Sequence, residues 1–179
     1  LGQEVFEPAR DAVALLEALG DKAPKSVLGE AISARGAGYL RLGQFEHGIR
    51  DLVHARDILL KVSNRRSATN TRHMLAYAWL RMGRLENALD EFKEIARLFE
   101  QLQHPHGEVD ARNSATRIQI ELLRWDEASV NSRRSMDVSR KIADSHLRTY
   151  TIRLHALVLT NTGHLREAAS LLEETDIGV

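Results

Sequence analysis

The chain has 179 residues, 43% of them hydrophobic, no cysteine, and 25 basic side chains balanced by 25 acidic ones. Neutrality removes the electrostatic footprint needed to grip nucleic acid or an anionic membrane, and the lack of cysteine removes disulfides, thiol catalysis and cysteine-based zinc sites. No run reaches the length of a transmembrane helix and no signal-peptide pattern opens the chain, which fits a cytoplasmic setting.

Proline is rare, with three in all, as expected if nearly everything is helix. The spacing of Phe6, Ala9, Val13 and Leu16 predicts a first helix over 5–19, ended by Gly20 and Asp21. Ser26 is the expected N-cap of a helix reaching Leu42, and its partner runs from 45 to 62, where Ser63 and Asn64 break it. The next pair occupies 66–82 and 85–102. His104-Pro105-His106-Gly107 is the clearest turn between units, placing the third pair at 108–123 and 126–143 and the fourth at 145–162 and 165–175. No stretch keeps the alternation of a strand.

These helices repeat. Leu80-Arg81-Met82-Gly83-Arg84-Leu85-Glu86-Asn87-Ala88 has counterparts forty residues before and after, so the turn position falls at 43, 83, 123 and 163 without a slip. A fixed period of this size belongs to repeat architectures, whose units stack because none can bury its own apolar face. Gly83 stands just past a first helix, where a left-handed backbone closes the free carbonyls cheaply. Gly48, Ala88, Ala128 and Ala168 are small where the second helix must approach the first.

Gly36, Tyr39, Gly43, Phe45, Gly48, Leu52 and Ala55, and then Leu75, Ala76, Trp79, Gly83, Leu85, Ala88, Phe92 and Ile95, resemble the columns of the tetratricopeptide repeat over residues 26–175. The ordinary period of that family is about 34 residues; this chain is similar to its longer, forty-residue variety, found in kinesin light chains and large bacterial transcription regulators. The unit-ending proline is missing. The third unit departs further, with Leu123 for the glycine, Gln119 for the aromatic, and Ser132 and Ser135 where apolar residues belong. The resemblance implies an all-α fold, a right-handed αα-superhelix or solenoid of about nine helices. It implies one domain over 1–179: a half unit at 5–19, then units at about 26–63, 66–103, 106–143 and 145–175. The half unit and the uncapped last helix make the chain an expected excerpt of a longer protein.

Chemistry of other kinds is disfavoured. Gly36-Ala37-Gly38 follows no strand and is no phosphate loop. His104 and His106 lack a third ligand, so no metal is expected. No serine sits in a nucleophile context and no carboxylate pair repeats, so no enzyme activity and no cofactor are expected. Trp79 and Trp125 fall in core columns. Asp126, Glu127, Asp137 and Asp144 interleave with Arg133, Arg134, Arg140 and Lys141, which describes a solvated face.

The resemblance also implies a concave groove lined by the first helices. Its matching positions here are Glu30, Ser33, Ala37 and Arg41; Asn70, His73, Tyr77 and Arg81; Asp110, Asn113, Arg117 and Glu121; and Tyr150, Arg153, Leu157 and Asn161. The expected binding set is Asn70, His73, Tyr77, Arg81, Asn113, Arg117, Tyr150 and Arg153, with asparagines for peptide backbone and arginines for an acidic side chain. The family's carboxylate clamp is not reproduced, since Ser33 and Ala37 stand at two of its places. The expected function is a protein- or peptide-binding module, the sensor or oligomerisation region of a larger bacterial regulator. A constitutive scaffold joining two partners, or a regulatory appendage of an enzyme, are the alternatives. Direct nucleic-acid and membrane contact are not expected, and the end helices, bare on one side, are expected to favour association of copies.

Overall fold

The computed structural model describes residues 2–176, with side chains from Phe6 to Glu173. Among them are nine α-helices: α1 (Gly2–Ala18), α2 (Lys25–Arg41), α3 (Phe45–Lys61), α4 (Arg65–Arg81), α5 (Leu85–Gln101), α6 (Pro105–Glu121), α7 (Trp125–Ser139), α8 (Ser145–Asn161) and α9 (Leu165–Asp176). A short 3-10 turn, Gly20–Lys22, joins the first two, and the described residues contain no strand. None of these helices is long and apolar enough to cross a membrane. The chain divides into two compact units, residues 1–91 and 92–179, with the division inside α5.

The repeat period is written into the backbone. Gly43, Gly83 and Gly163 all have positive φ, of 75°, 69° and 84°, and the residue before each closes the preceding helix. Leu123 keeps the same left-handed conformation, φ 58°, although it has a Cβ. The turn geometry is thus imposed by the hairpin and not by the glycine alone.

Apart from α1, which starts at Gly2, and shifts of one or two residues, three helix ends differ from the sequence expectation. The N-cap of α2 is Pro24, and Ser26 lies inside the helix, where its Oγ accepts a 2.8 Å bond from Asn64 Nδ2. The stretch from His104 to Gly107 is the start of α6 and not a free turn: Pro105 sits at the first position, where its missing N–H costs nothing, and His104 Nδ1 accepts from Gly107 N at 3.0 Å. Helix α7 ends at Ser139, four residues early, and there the Ser139 hydroxyl donates to the Met136 carbonyl at 2.7 Å, a local bond that competes with the helical backbone.

In unit 1, α2 and α3 form a hairpin that α1 and α4 flank. A Cβ added to Gly36 would lie 3.1 Å from the Gly48 carbonyl oxygen, and one on Gly48 2.9 Å from that of Gly36, so the two backbones touch. Val13, Leu28, Ile32 and Ala55 make one buried cluster, and Ile49, Leu52, Leu75 and Ala78 another, against which Val53 and Trp79 pack. Asp51, buried on α3, accepts both arms of the Arg35 guanidinium at 2.6 and 2.9 Å, which raises the arginine above its ordinary pKa.

In unit 2, α6 pairs with α7, and α8 packs on α7, α6 and α9. Phe92, Ile95, Val109, Ile118, Val158 and Leu159 are almost fully buried. The two serines of α7 are buried as well, but not beside voids: the Ser135 hydroxyl donates to Asn113 Oδ1 at 2.7 Å, and Ser132 Oγ lies 2.9 Å from His155 Nδ1. Replacing apolar residues by serine has therefore built a polar interior for this unit, matched by an asparagine and a histidine from the first helices.

Candidate functional site

On α4 the expected ligand-facing residues are arranged as the helical spacing requires. Asn70 and Arg81 are exposed, Tyr77 is 50% exposed, and His73 is half-buried. Tyr77 and Arg81 line a cavity of about 380 Å3 together with Arg41 and Phe45, and the Arg81 guanidinium lies 5.9 Å from the centre of the Phe45 ring. Asn70 lines a second cavity, of about 220 Å3, with Met74 on its own helix and Glu30, Ser33 and Ala34 on α2. Glu30 is tied down there by Ser67 Oγ at 2.7 Å and Asn64 Nδ2 at 3.0 Å.

In unit 2 the expected set separates. Arg117, on α6, is exposed, and Tyr150, Arg153 and Leu157 form an exposed stripe along α8, with Tyr150 41% and Leu157 47% accessible. Asn113 does not join them. It is 2% exposed; its amide nitrogen donates to Thr151 Oγ1 at 2.8 Å while its oxygen accepts from Ser135. Ser33 is likewise buried and 2.9 Å from Thr71 Oγ1. These two positions face the neighbouring first helix, because a threonine there offers a hydroxyl oxygen whose own proton is already given to a carbonyl four residues back. A polar side chain in that column turns inward to meet it.

One constellation escaped the sequence reading. A cavity of about 630 Å3 is walled by α5 and α7 and floored by Arg112 and Gln119 of α6. Arg112 donates to Glu108 at 2.8 Å and Glu100 at 2.9 Å, and Arg134 reaches Glu100 at 2.8 Å, so α5, α6 and α7 share a ring of alternating charges. Across the mouth Lys93 donates to Glu127 at 2.8 Å, and this bond holds the Glu127 carboxyl below its ordinary pKa. The signal was present in the sequence as Gln119 in an aromatic column. Among the described residues no group of three or more histidine or acidic side chains is placed to hold a metal.

No protein-family model matches the chain, and no curated protein does. Solved structures do. BtubC (BKLC) from P. vanneervenii aligns over 98% of this chain and 72% of its own, with a TM-score of 0.83 at 15% identity. A signal transduction ATPase with a tetratricopeptide repeat sensor from Pyrococcus horikoshii aligns over 96% of this chain and 27% of its own, with a TM-score of 0.79 at 17% identity. A Rap protein complexed with Competence and Sporulation Factor aligns over 97% and 50%, with a TM-score of 0.63 at 13% identity. The fold of this chain is that of a tetratricopeptide-like solenoid of helical hairpins.

Proposed function

We propose that the chain is a protein-interaction module that binds an extended peptide carrying an acidic side chain at the α4 face of unit 1, and that the α8 face of unit 2 is a separate site of the same kind. The observation that carries this is the exposure of Tyr77 beside Arg41 and Arg81 at a preformed cavity. A first helix that merely met water would show charges at such a place; a half-exposed phenol lining one cavity with two arginines supplies apolar contact and carboxylate recognition together. Tyr150, Arg153 and Leu157 repeat that chemistry on α8. Selection from a displayed random peptide library tests it. Enrichment of Asp or Glu next to an apolar residue is expected, and replacing Arg41 and Arg81 by glutamate should reverse the charge preference. A selection that enriches nothing, or that ignores the reversal, would refute the assignment.

The finer reading is that this module is the sensor or oligomerisation region of a larger bacterial regulator. It is supported by what two similar proteins are: one has its repeats as a sensor beside an ATPase, and the other is complexed with a named factor. Association of copies would run through α1 and α9, where Leu15 is 70% and Leu165 is 62% exposed. A concentration series in the ultracentrifuge checks that half of the proposal: a mass that stays at one chain throughout counts against it.

A further inference from the structure

The cavity between α5 and α7 exists because one side chain of the repeat is missing. In unit 1 the aromatic column holds Trp79, which packs with Val53 against Ile49, Leu52 and Leu75, while the Arg84 guanidinium lies 5.4 Å over its ring. Forty residues later Gln119 stands in place of Trp79 and Lys93 in place of Val53, and both line the open space. A ring-sized volume is thus vacated and floored with amides.

The floor is anchored, but its oxygens are loosely engaged. Asn131 is held through its amide nitrogen, which donates to the Arg112 carbonyl at 2.9 Å and to Thr116 Oγ1 at 3.0 Å. Gln119 is 2% exposed, yet it donates to Glu127 and accepts from Asn131 only at 3.3 Å each, and Asn131 Oδ1 receives Arg112 at 3.4 Å. Bonds of that length are weak, so a better-placed donor would displace them at little cost. Lys93 and Glu127 at the mouth are 45% and 46% exposed, and a pair so hydrated opens readily. Beside the mouth Val130 is 74% exposed, an aliphatic surface on a helix whose neighbouring positions are charged.

The charges choose the guest. Arg112 and Arg134 are already matched by Glu100 and Glu108, and Lys93 by Glu127, so a phosphate or a carboxylate would meet cations that are spoken for and acids that repel it. A neutral aromatic ring has no such penalty: its faces attract the guanidinium and ammonium groups, and its polar edge suits amide oxygens. We propose that this cavity is a docking site for a partner protein segment that inserts a tryptophan or tyrosine side chain, the ring taking the place that Trp79 fills in unit 1 and its N–H or O–H meeting the Gln119 and Asn131 oxygens. The site opens between the second helices α5 and α7 over α6, and shares no residue with the peptide-binding faces proposed above.

The 179-residue chain, labelled with 15N and titrated with N-acetyl-L-tryptophanamide, tests this. The side-chain amide signals of Gln119 and Asn131 are expected to shift and saturate. Gln119→Trp supplies the ring internally and should abolish the saturable shift at Asn131. Val130→Glu, a surface change with no part in the core, should weaken binding by about fivefold, the effect of losing one apolar contact at the rim. The proposal is overturned if the amide signals stay put or move without saturating, if both variants bind like the parent, or if adenosine saturates the site at lower concentration, which would mark it as a nucleobase site.

Discussion

Asn113 and Thr151, 38 residues apart, are joined inside the contact of α6 and α8 by a 2.8 Å bond from amide nitrogen to hydroxyl oxygen, and Ser33 and Thr71 meet at the same separation between α2 and α4. In both cases the threonine hydroxyl gives its proton to a carbonyl of its own helix, to Leu147 or to Ser67, so it can only accept from across the contact. Thr151→Val keeps the shape and removes the acceptor, leaving a buried donor without a partner. Urea unfolding should show a loss of about 1–3 kcal/mol. A loss under about 0.5 kcal/mol would mean that the pair is incidental.

Helix α7 should open before α5. Its buried inward positions Ser132 and Ser135 stand where α5 buries Phe92 and Ile95, so it gains less from leaving water, even though its hydroxyls are bonded. Amide hydrogen exchange is expected to be faster over residues 126–139 than over 85–101. Equal protection would show that the polar interior is worth as much as the apolar one.

Burial holds the His155 imidazole below its ordinary pKa of 6.5, aided by Arg133 and opposed by Glu167 and Asp137. As pH falls through 6.5 the unfolded chain takes up this proton while the folded one does not, so stability is present above 6.5 and is lost progressively down to the lowered folded value. His155→Leu, which copies Leu75 in the same column, should flatten the fall of the urea midpoint between pH 8 and pH 5.5 relative to the parent. Parallel curves would remove His155 from the account.

Leu123 occupies the turn column in a left-handed conformation and is 71% exposed. Glycine there loses little burial and relieves backbone strain of about 1 kcal/mol. Leu123→Gly is expected to raise the melting temperature; a decrease would show that the side chain holds the turn.

Much of this fold was readable because the repeat multiplies each clue. One glycine at position 83 says little; glycines at 43, 83 and 163 share one register of forty, which locates three hairpins and points to the fourth at Leu123. Local competition was harder to foresee. Ser26 reads as a cap, but Pro24 starts the helix first and leaves Ser26 to bond Asn64. His104 and Pro105 read as a turn because a proline ends helices more often than a histidine nitrogen caps them. The residues expected to face a ligand divided by a similar logic. Tyr77, Arg81 and Arg153 face outward as helical spacing demands, whereas the side chain of Asn113 is drawn inward by Thr151 on the next first helix and Ser135 on its own hairpin partner. The cavity behind Gln119 was hidden for a different reason, since a missing side chain leaves a mark only when the repeat supplies the one that should be there.

Apolar stripes made only of leucine and alanine let neighbouring helices slide by a turn at little cost. The hydroxyl and amide pairs at Ser33 with Thr71 and at Asn113 with Thr151 do not. Slipped by four residues, Asn113 would lie against Leu147 or His155 and bury its amide with no hydroxyl opposite. Each such pair therefore acts as a key tooth, rejecting misaligned neighbours as the array assembles, and discriminating between a correct and a shifted repeat where grease alone would accept both.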